Sequence, residues 1–326
     1  MDKKAIPANQ IKSIILENLQ FVAIILIPLL IGLFKPNYLT LNNLNNVLDL
    51  TSILIISAVG FSFVIESGSI DLSIEANMAL AGVVMAKMLQ KNPDIGFLAV
   101  LAAVFVSAFI GFLNGIIQTR LKIPSFLTTL GMAYIASGIT TVITQGQYIN
   151  FPYNILREIA IGRIGGQSGI IPNTLVIAIM VAMIIGFLSE KKRHGRHVLA
   201  IGGDESIARD LGVKVNRVKV LSYIIAGAAF GLAGSLLALK LGAGDSFSAA
   251  GYTFETISAC VIGGISISGG VGKTYKAIFG AMIITIIRVA MVFFVIPSEV
   301  QAGFLGFVII LTVASTLDRS KLSVIR

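Results

Sequence analysis

The sequence has few charges, a single cysteine, two histidines and no tryptophan. Charged residues make up 13% of the 326 residues, about half the share of a typical soluble domain. Because Cys260 is the single cysteine, neither an internal disulfide nor a cysteine metal cluster can form. Its apolar surroundings indicate that it serves as a small buried hydrophobic residue. His194 and His197 lie three residues apart in a basic loop and lack further metal ligands, and no histidine elsewhere could partner a serine. The chain therefore does not look like an enzyme or a metalloprotein.

Apolar residues fill the place of the missing charges. They make up 56% of the chain, and the mean hydropathy is +0.91. Because a membrane-spanning helix needs about 20 mainly apolar residues, the sequence predicts an all-α polytopic membrane protein that forms one domain over residues 1–326. The ten predicted spans are 14–34, 45–65, 74–89, 95–117, 124–144, 172–188, 220–239, 253–267, 277–296 and 301–317. The third and eighth are short and are candidates for broken or re-entrant helices, and the first is too long for a signal-peptide core.

The basic residues are distributed unevenly between the predicted loops. With ten spans both termini share one side of the membrane, and most lysines and arginines, including those of 189–219, lie on that side. The positive-inside rule places this side in the cytoplasm, and 145–171 is then the longest outer loop. The net charge of +9 follows from this bias and does not indicate nucleic-acid binding.

The basic loop 189–219 contains one predicted short helix. Asp204 is a suitable N-cap, Glu205 matches the positive end of the helix dipole, and Gly212 stands where a left-handed residue ends a helix. An apolar stripe at helical spacing consists of Ile207, Ala208 and Leu211. Because two turns of helix are not stable alone in water, we expect this helix to dock on the membrane bundle, on a partner protein, or on both.

A polar stretch, 67–73, lies between two predicted spans and is flanked by Glu66 and Glu75. Carboxylates near a span are costly unless they face water or a partner. The stretch is either a broken helix that lines a solute path or a cytoplasmic turn in which Asp71 caps the next span, and Asn77 shares either role. Glycines and serines also follow the apolar run at 261–268, and two broken segments in corresponding halves often mark a substrate site.

Other polar residues lie inside predicted spans. Arg288 must pair or face a cavity, and we slightly favour a structural pair with Glu66 or Asp71 over contact with the solute. Asn114 and Gln118 either bind a hydroxylated solute or bridge helices. Glu255 suits the start of the eighth span. Two glycine pairs spaced by four residues predict close helix packing, namely Gly111 with Gly115 and Gly227 with Gly231.

Residues 269–274 look like the end of a phosphate-binding loop. The full motif requires a glycine at position 267, which is Ile267, and no soluble strand–loop–helix context surrounds it. Nucleotide binding by this chain is therefore rejected, and Lys273 and Lys276 are expected to be cytoplasmic anchors.

Several motifs in order resemble the permease subunits of bacterial ATP-binding-cassette importers of the ribose, xylose and galactose type. These motifs are the stretch 66–73, residues 114–131, the run from Gly195 through Ala208–Val213 to Gly234, and residues 263–270. The resemblance implies an inner-membrane permease that pairs with a second copy or homologue. It also implies cytoplasmic ATPases that bind ATP and Mg²⁺, an extracytoplasmic solute-binding protein, and no cofactor on this chain.

The resemblance also assigns two groups of residues. The helix near 204–211 becomes the element that couples the permease to its ATPase, with the residues Gly203, Asp204, Glu205, Ile207, Ala208, Arg209, Leu211 and Gly212. The solute path is assigned Glu66, Asp71, Asn77, Asn114, Gln118 and Arg288. Transport is expected to proceed by alternating access.

The sequence departs from the family pattern at three charged positions. Glu66 or Ser67 stands where a glycine is usual, Glu75 replaces another glycine, and Arg288 lies where an Asn-Gly pair is common. A charged or phosphorylated sugar is then an alternative to a plain pentose. A nucleoside or amino-acid importer is a second alternative, and an ion-coupled transporter with Glu66, Asp71 and Arg288 as a relay is a third.

Overall fold

The computed structural model describes residues 19–166 and 169–316. These residues form thirteen α-helices and one two-stranded sheet. In chain order the helices are α1 (Leu19–Phe34), α2 (Leu41–Glu66), α3 (Ile74–Lys91), α4 (Gly96–Arg120), α5 (Ser125–Thr144), α6 (Ile155–Ile161), α7 (Asn173–Lys191), α8 (Arg193–Gly203), α9 (Glu205–Asp210), α10 (Val215–Leu241), α11 (Tyr252–Ile262), α12 (Lys276–Phe293) and α13 (Ser298–Thr316). Strand β1 is Ile149–Asn150 and β2 is Ala243–Gly244.

Six of the described helices are long and apolar enough to cross a membrane: α2, α4 with the 3₁₀ turn before it, α5, α7, α10 and α12. This confirms the all-α membrane fold, whereas the number of ten spans stays a prediction. Four further helices match the remaining predicted spans. Of these, α1 has 16 residues and α11 has 11, α3 carries three charges in 18 residues, and α13 has 19 residues. Residues 14–18 and 317 of the predicted spans lie outside the described residues.

The core forms around α2 and α10. Every residue of α2 from Thr51 to Glu66 is buried, which explains why this helix is apolar around its whole circumference. The predicted glycine packing is confirmed on α4 and α10. A Cβ on Gly115 would lie 2.7 Å from the Val220 Cα, and one on Gly231 would lie 2.7 Å from the Val104 Cα. The backbones of α4 and α10 are therefore in direct contact.

The predicted outer loop 145–171 has structure of its own. β1 pairs antiparallel with β2, with Ile149 opposite Gly244. Nearby, the Lys240 Nζ lies 2.8 Å from Asp49 Oδ1, and the Thr174 hydroxyl donates to the same oxygen at 3.0 Å. These contacts tie the loop and the ends of α2, α7 and α10 together.

The basic loop 189–219 contains two helices, whereas the sequence predicted one. The additional helix, α8, buries Val198 and Ile201 on one side. On the same side the His194 ring meets the Phe63 ring of α2 edge to face, with centroids 5.2 Å apart. These three residues, at 194, 198 and 201, are spaced as on one face of a helix, so the sequence did contain evidence for α8. The surrounding arginines, lysines and glycines obscured that pattern.

Candidate solute path and coupling site

The polar stretch 67–73 is a break between α2 and α3 that lies inside the bundle. We call it break one. Its backbone is hydrogen-bonded by side chains of other helices: Ile70 N donates to the Ser125 hydroxyl at 3.1 Å, and Leu72 N donates to the Thr129 hydroxyl at 2.9 Å. The Tyr223 hydroxyl of α10 donates to Ile70 O at 3.2 Å. Irregular backbone is tolerated in a membrane protein where the surrounding protein satisfies its polar groups in this way.

Asp71 organises the end of break one. Its Oδ1 accepts from the backbone N of Ser73 at 2.8 Å and from the Ser73 hydroxyl at 2.6 Å. The N-cap position of α3 is Ser73, and Asp71 precedes it by two residues. The interpretation of Asp71 as the cap of α3 is therefore wrong, because its carboxylate closes a local turn instead.

Two amides approach break one from α4, and a third amide lies on α3 and faces α4. The Asn114 Nδ2 donates to the Ser73 hydroxyl at 3.0 Å, and the Gln118 Nε2 donates to the Ser69 hydroxyl at 2.9 Å. Asn77 bonds reciprocally with Ser107, whose hydroxyl donates to Asn77 Oδ1 at 2.8 Å. Four of the predicted path residues, Asp71, Asn77, Asn114 and Gln118, thus lie around α3, α4 and break one.

Two of these amides keep an unused acceptor. Asn114 Oδ1 and Gln118 Oε1 are buried and have no hydrogen-bond partner among the described residues. A buried carbonyl oxygen without a donor costs free energy, so such atoms mark places where water or a ligand hydroxyl binds. Their hydroxyl-rich surroundings suit a solute with hydroxyl groups.

Glu66 ends α2 and faces a second break. This break two, residues 263–275, separates α11 from α12. The Thr274 hydroxyl donates to Glu66 Oε1 at 3.3 Å, and Gly270 N donates to Glu66 O at 2.9 Å. Glu66 Oε2 is buried without a partner in the described chain. The two similar segments recognised in the sequence therefore meet in space.

Arg288 belongs to a different cluster. Its Nη1 lies 2.8 Å from the Glu255 carboxylate in the first turn of α11, and its guanidinium stands 5.8 Å from the centre of the Tyr252 ring. The predicted pair with Glu66 or Asp71 is wrong. The position of Glu255 in the first turn is confirmed, but its partner was missed. The sequence did contain a sign of this pair, since one acidic and one basic residue lie in consecutive apolar segments.

The predicted short helix is present as α9, with the predicted ends. Asp204 Oδ1 accepts from Ser206 N at 2.9 Å and from Ile207 N at 3.0 Å, and Gly212 has a φ of +84°. Both are the expected cap geometries.

Glu205 holds α9 to α10. Its carboxylate lies 2.7 Å from the Lys219 Nζ and 2.8 Å from Arg209 Nη2. Burial alone would raise the pKa of Glu205, but the hydrogen bonds and charges of Lys219 and Arg209 outweigh it and lower the pKa. The carboxylate is thus engaged inside this chain.

The predicted apolar stripe of α9 is divided between two surroundings. Ala208 is buried against the chain, whereas Ile207 and Leu211 are 57% and 79% exposed. Within the described chain, α9 therefore docks by one side and presents large apolar side chains on the other. A polar cleft of about 290 Å³ lies beside it, lined by Gln118, Lys122, Ser125, Glu205, Arg209 and Lys219 among others.

The chain is similar to known transport proteins over most of its length. The ribose import permease protein of Escherichia coli K12 is 31% identical over 277 residues, which cover 84% of this chain and 85% of the relative. The D-allose transport system permease protein of the same strain is 31% identical over 301 residues, 92% of this chain and 90% of the relative. The L-arabinose transport system permease protein of that strain is 30% identical over 290 residues, which cover 89% of this chain and 86% of the relative.

No solved structure is significantly similar to the chain. A protein family described as the permease component of branched-chain amino acid transport systems matches residues 43–313. That match includes both breaks, the cluster around Arg288, and helices α8 and α9. Because it spans most of the sequence, this chain is a transport permease that belongs to that family.

Proposed function

We propose that the chain is the membrane-spanning permease subunit of an ATP-driven importer that moves a simple sugar, or a similar small hydroxylated solute, into the cytoplasm by alternating access. The observation that carries the proposal is the similarity to permeases named for ribose, D-allose and L-arabinose over 84–92% of the chain. The family description names amino acids, so membership of the family does not fix the solute.

The chemistry of break one supports a neutral solute. The groups around it are mainly hydroxyls and amides, with unused acceptor oxygens on Asn114 and Gln118, and such groups bind hydroxyls. The one carboxylate of break one, Asp71, already accepts two hydrogen bonds from Ser73. A carboxylate or phosphate is bound most strongly by charge-assisted hydrogen bonds, and Arg288, the cation on which the charged alternatives depended, is paired with Glu255. The alternatives of a charged sugar or an amino acid lose their main support for this reason, and a nucleoside remains the runner-up solute.

The rival mechanism of an ion-coupled transporter requires a connected relay of charged groups. Glu66 bonds Thr274, Asp71 bonds Ser73, and Arg288 bonds Glu255. The three members of the suggested relay thus belong to separate hydrogen-bond networks in the described chain. This arrangement favours the ATP-driven mechanism, in which these groups have structural or solute-binding roles.

The proposed topology has ten spans in one inner-membrane domain, with both termini in the cytoplasm. It adds α1, α3, α11 and α13 to the six long helices. The 11 residues of α11 rise only about 16 Å, about half of the 30 Å hydrocarbon core. We therefore expect α11 and break two to enter the membrane together and to meet break one inside it.

The proposed partners are cytoplasmic ATPases that carry ATP and Mg²⁺, a second permease copy or homologue, and an extracytoplasmic solute-binding protein. α9 is the proposed ATPase contact, because Ile207 and Leu211 are exposed at the end of a short helix that is firmly held on its other side. We assign the contact to the residues from Gly203 to Gly212 named above. No cofactor on this chain and no nucleic acid are needed.

The first experiment is purification of the chain from its native membrane, with identification of what co-purifies. We expect a cassette ATPase. In liposomes, ATP hydrolysis by the complex should rise when the binding protein carries ribose, D-allose or L-arabinose. A chain that purifies alone and moves these sugars under an ion gradient would refute the proposal.

The proposed solute path is tested by Asn114→Ala and Gln118→Ala. Each removes an acceptor that we expect to bind a solute hydroxyl. Because one hydrogen bond is worth about 1 kcal/mol, sugar uptake should fall about fivefold while ATPase co-purification stays normal. Asn45 is a matched control, since its Oδ1 is also buried and unpartnered among the described residues but lies near the start of α2. If Asn45→Ala lowers uptake equally, the path assignment fails.

A further inference from the structure

We propose that four glycines form a rigid junction that transmits movement of α9 to both helix breaks. The glycine junction consists of Gly68 in break one, Gly202 at the end of α8, and Gly269 and Gly270 in break two. This inference rests on the proposed function, since it assigns the route by which the ATPase acts on the permease.

Gly202 is the centre of the glycine junction. A Cβ at this position would overlap the Glu66 carbonyl oxygen at the end of α2 and the Gly270 backbone nitrogen in break two. Only a glycine allows the three backbones to approach so closely. The end of α8 is thus in direct backbone contact with both breaks.

The glycines of break two complete the contact. A Cβ on Gly269 would lie 2.5 Å from Gly68 N and 2.9 Å from Gly202 Cα, and one on Gly270 would lie 2.6 Å from Gly203 N. Gly269 and Gly270 also have φ values of +80° and +73°, which a residue with a side chain rarely adopts. Contact geometry and backbone conformation therefore both require glycine.

The glycine junction lies between the ATPase contact and the polar groups of the bundle. On one side, Gly203 is followed directly by Asp204, the cap of α9. On the other side, Gly68 precedes Ser69, which accepts from Gln118, and Gly270 precedes Thr274, which donates to Glu66. A displacement of α9 therefore reaches both breaks within a few residues.

Backbone contacts suit this role for a physical reason. Flexible side chains absorb small displacements by changing rotamer, whereas close-packed backbone atoms transmit them. Packed elements that have two arrangements convert small shifts at one site into larger changes elsewhere. We infer that α8, α9 and the breaks move as one unit during transport, and that Gly202 is a positioning residue for the breaks.

The test compares Gly202→Ala with Gly186→Ala in the complete complex. Gly186 is a matched control because it is also a helical glycine, it lies in α7 outside both the glycine junction and the proposed ATPase contact, its φ is not positive, and an added Cβ would have no atom within 4 Å. We expect Gly202→Ala to lower the amount of sugar transported per ATP hydrolysed by about tenfold, a typical size for coupling between sites. With Gly202→Ala the ATPase should still co-purify, and Gly186→Ala should match the natural sequence.

A second readout follows movement directly. Ser268→Cys places an exposed thiol in break two, and the native Cys260 is buried. In the otherwise natural complex, the rate of thiol labelling should change between the nucleotide-free state and an ATP-trapped state. With Gly202→Ala this change should disappear, and with Gly186→Ala it should persist.

The outcomes separate this inference from the proposed function. If no ATPase binds the natural chain, the proposed function fails first. If the natural complex couples normally and both alanine variants behave alike, the glycine junction is refuted. Should Gly202→Ala not fold, Gly68→Ala replaces it: its Cβ would stay 3.4 Å from the Ser268 oxygen, and it disturbs the glycine junction through a φ of +73° that alanine rarely adopts. Unchanged coupling and labelling in that variant would overturn the inference equally.

Discussion

At the scale of single residues, most polar side chains inside the bundle have partners from other helices. Asn114 reaches Ser73 across 41 positions of sequence, and Arg288 reaches Glu255 across 33. Such bonds lower the cost of burying polar groups in an apolar environment. A few buried acceptor oxygens remain without a partner among the described residues. Those of Asn114 and Gln118 lie beside break one, where a solute hydroxyl could donate to them.

The pair of Arg288 and Glu255 gives a stability prediction. Removal of Arg288 leaves the buried Glu255 carboxylate uncompensated, and the loss should be smaller than the roughly 3 kcal/mol of a fully buried pair, because the Arg288 side chain is 33% exposed. Arg288→Met should therefore lower the free energy of unfolding of the purified chain in detergent. The double variant with Glu255→Met should recover most of the loss. A double variant no more stable than Arg288→Met would contradict the pairing.

His194 gives a prediction about pH. The pKa of His194 is lowered, mainly because the ring is buried and to a smaller extent because of the charge of His197. A group with a lowered pKa in the folded state stabilises it fully above its ordinary pKa, about 6.5 for histidine, and this contribution is lost as the pH falls further. We expect weaker docking of α8 on α2 and α10 at about pH 5.5 than at about pH 7.5.

Hydrogen exchange measures this docking. The protection factors of amides around Val198 and Ile201 should fall on acidification. His194→Gln keeps an uncharged polar group near the Ser222 hydroxyl, which lies 3.3 Å from His194 Nε2, and should abolish the pH dependence. Equal acid sensitivity in that variant would assign the effect to other groups.

At the scale of elements, the unusual features are two helix breaks and one short capped helix. The breaks are irregular backbone inside an otherwise helical bundle, and break one is held in place by side chains of α5 and α10. α9 is held by its cap and by Glu205. The end of α8 contacts the breaks directly, so the exposed face of α9 and the polar groups of the bundle belong to one connected unit.

The exposed side chains of α9 give a prediction about the ATPase. Burying an isoleucine or leucine on a partner contributes about 1.5–3 kcal/mol. Ile207→Ser and Leu211→Ser should each weaken retention of the ATPase about tenfold or more without changing the stability of the isolated chain. Phe247→Ser is the control, because Phe247 is 80% exposed in the connection between β2 and α11. Equal retention in all three variants would remove α9 from the interface.

At the scale of the whole molecule, one basic loop and one folded outer loop lie at opposite ends of the long helices in the proposed topology. The outer loop is fixed by β1, β2 and the contacts of Asp49. A rigid outer surface suits the docking of a binding protein, while α9 suits an ATPase. The two surfaces are joined through α2 and α10, the most central helices.

This topology predicts the labelling of single cysteines in intact cells. Tyr148→Cys replaces a side chain that is 70% exposed in the outer loop, and Lys191→Cys replaces an exposed residue in the basic loop 189–219, outside the proposed ATPase contact. A membrane-impermeant thiol reagent should label the first from outside and the second only after permeabilisation. The reverse pattern would invert the orientation.

Features that depend on local chemistry could be predicted from the order of residues alone. Apolar runs predicted the membrane fold, and Asp204 and Gly212 predicted the ends of α9, because capping involves atoms a few residues apart. Which distant residues meet depends instead on how the helices pack. The partner of Arg288, the meeting of the two breaks, and the burial of Ala208 with exposure of Ile207 all depend on how helices are arranged, since one span offers many equivalent faces. α8 was missed because its polar residues obscured a helical stripe that only α2 and α10 bury.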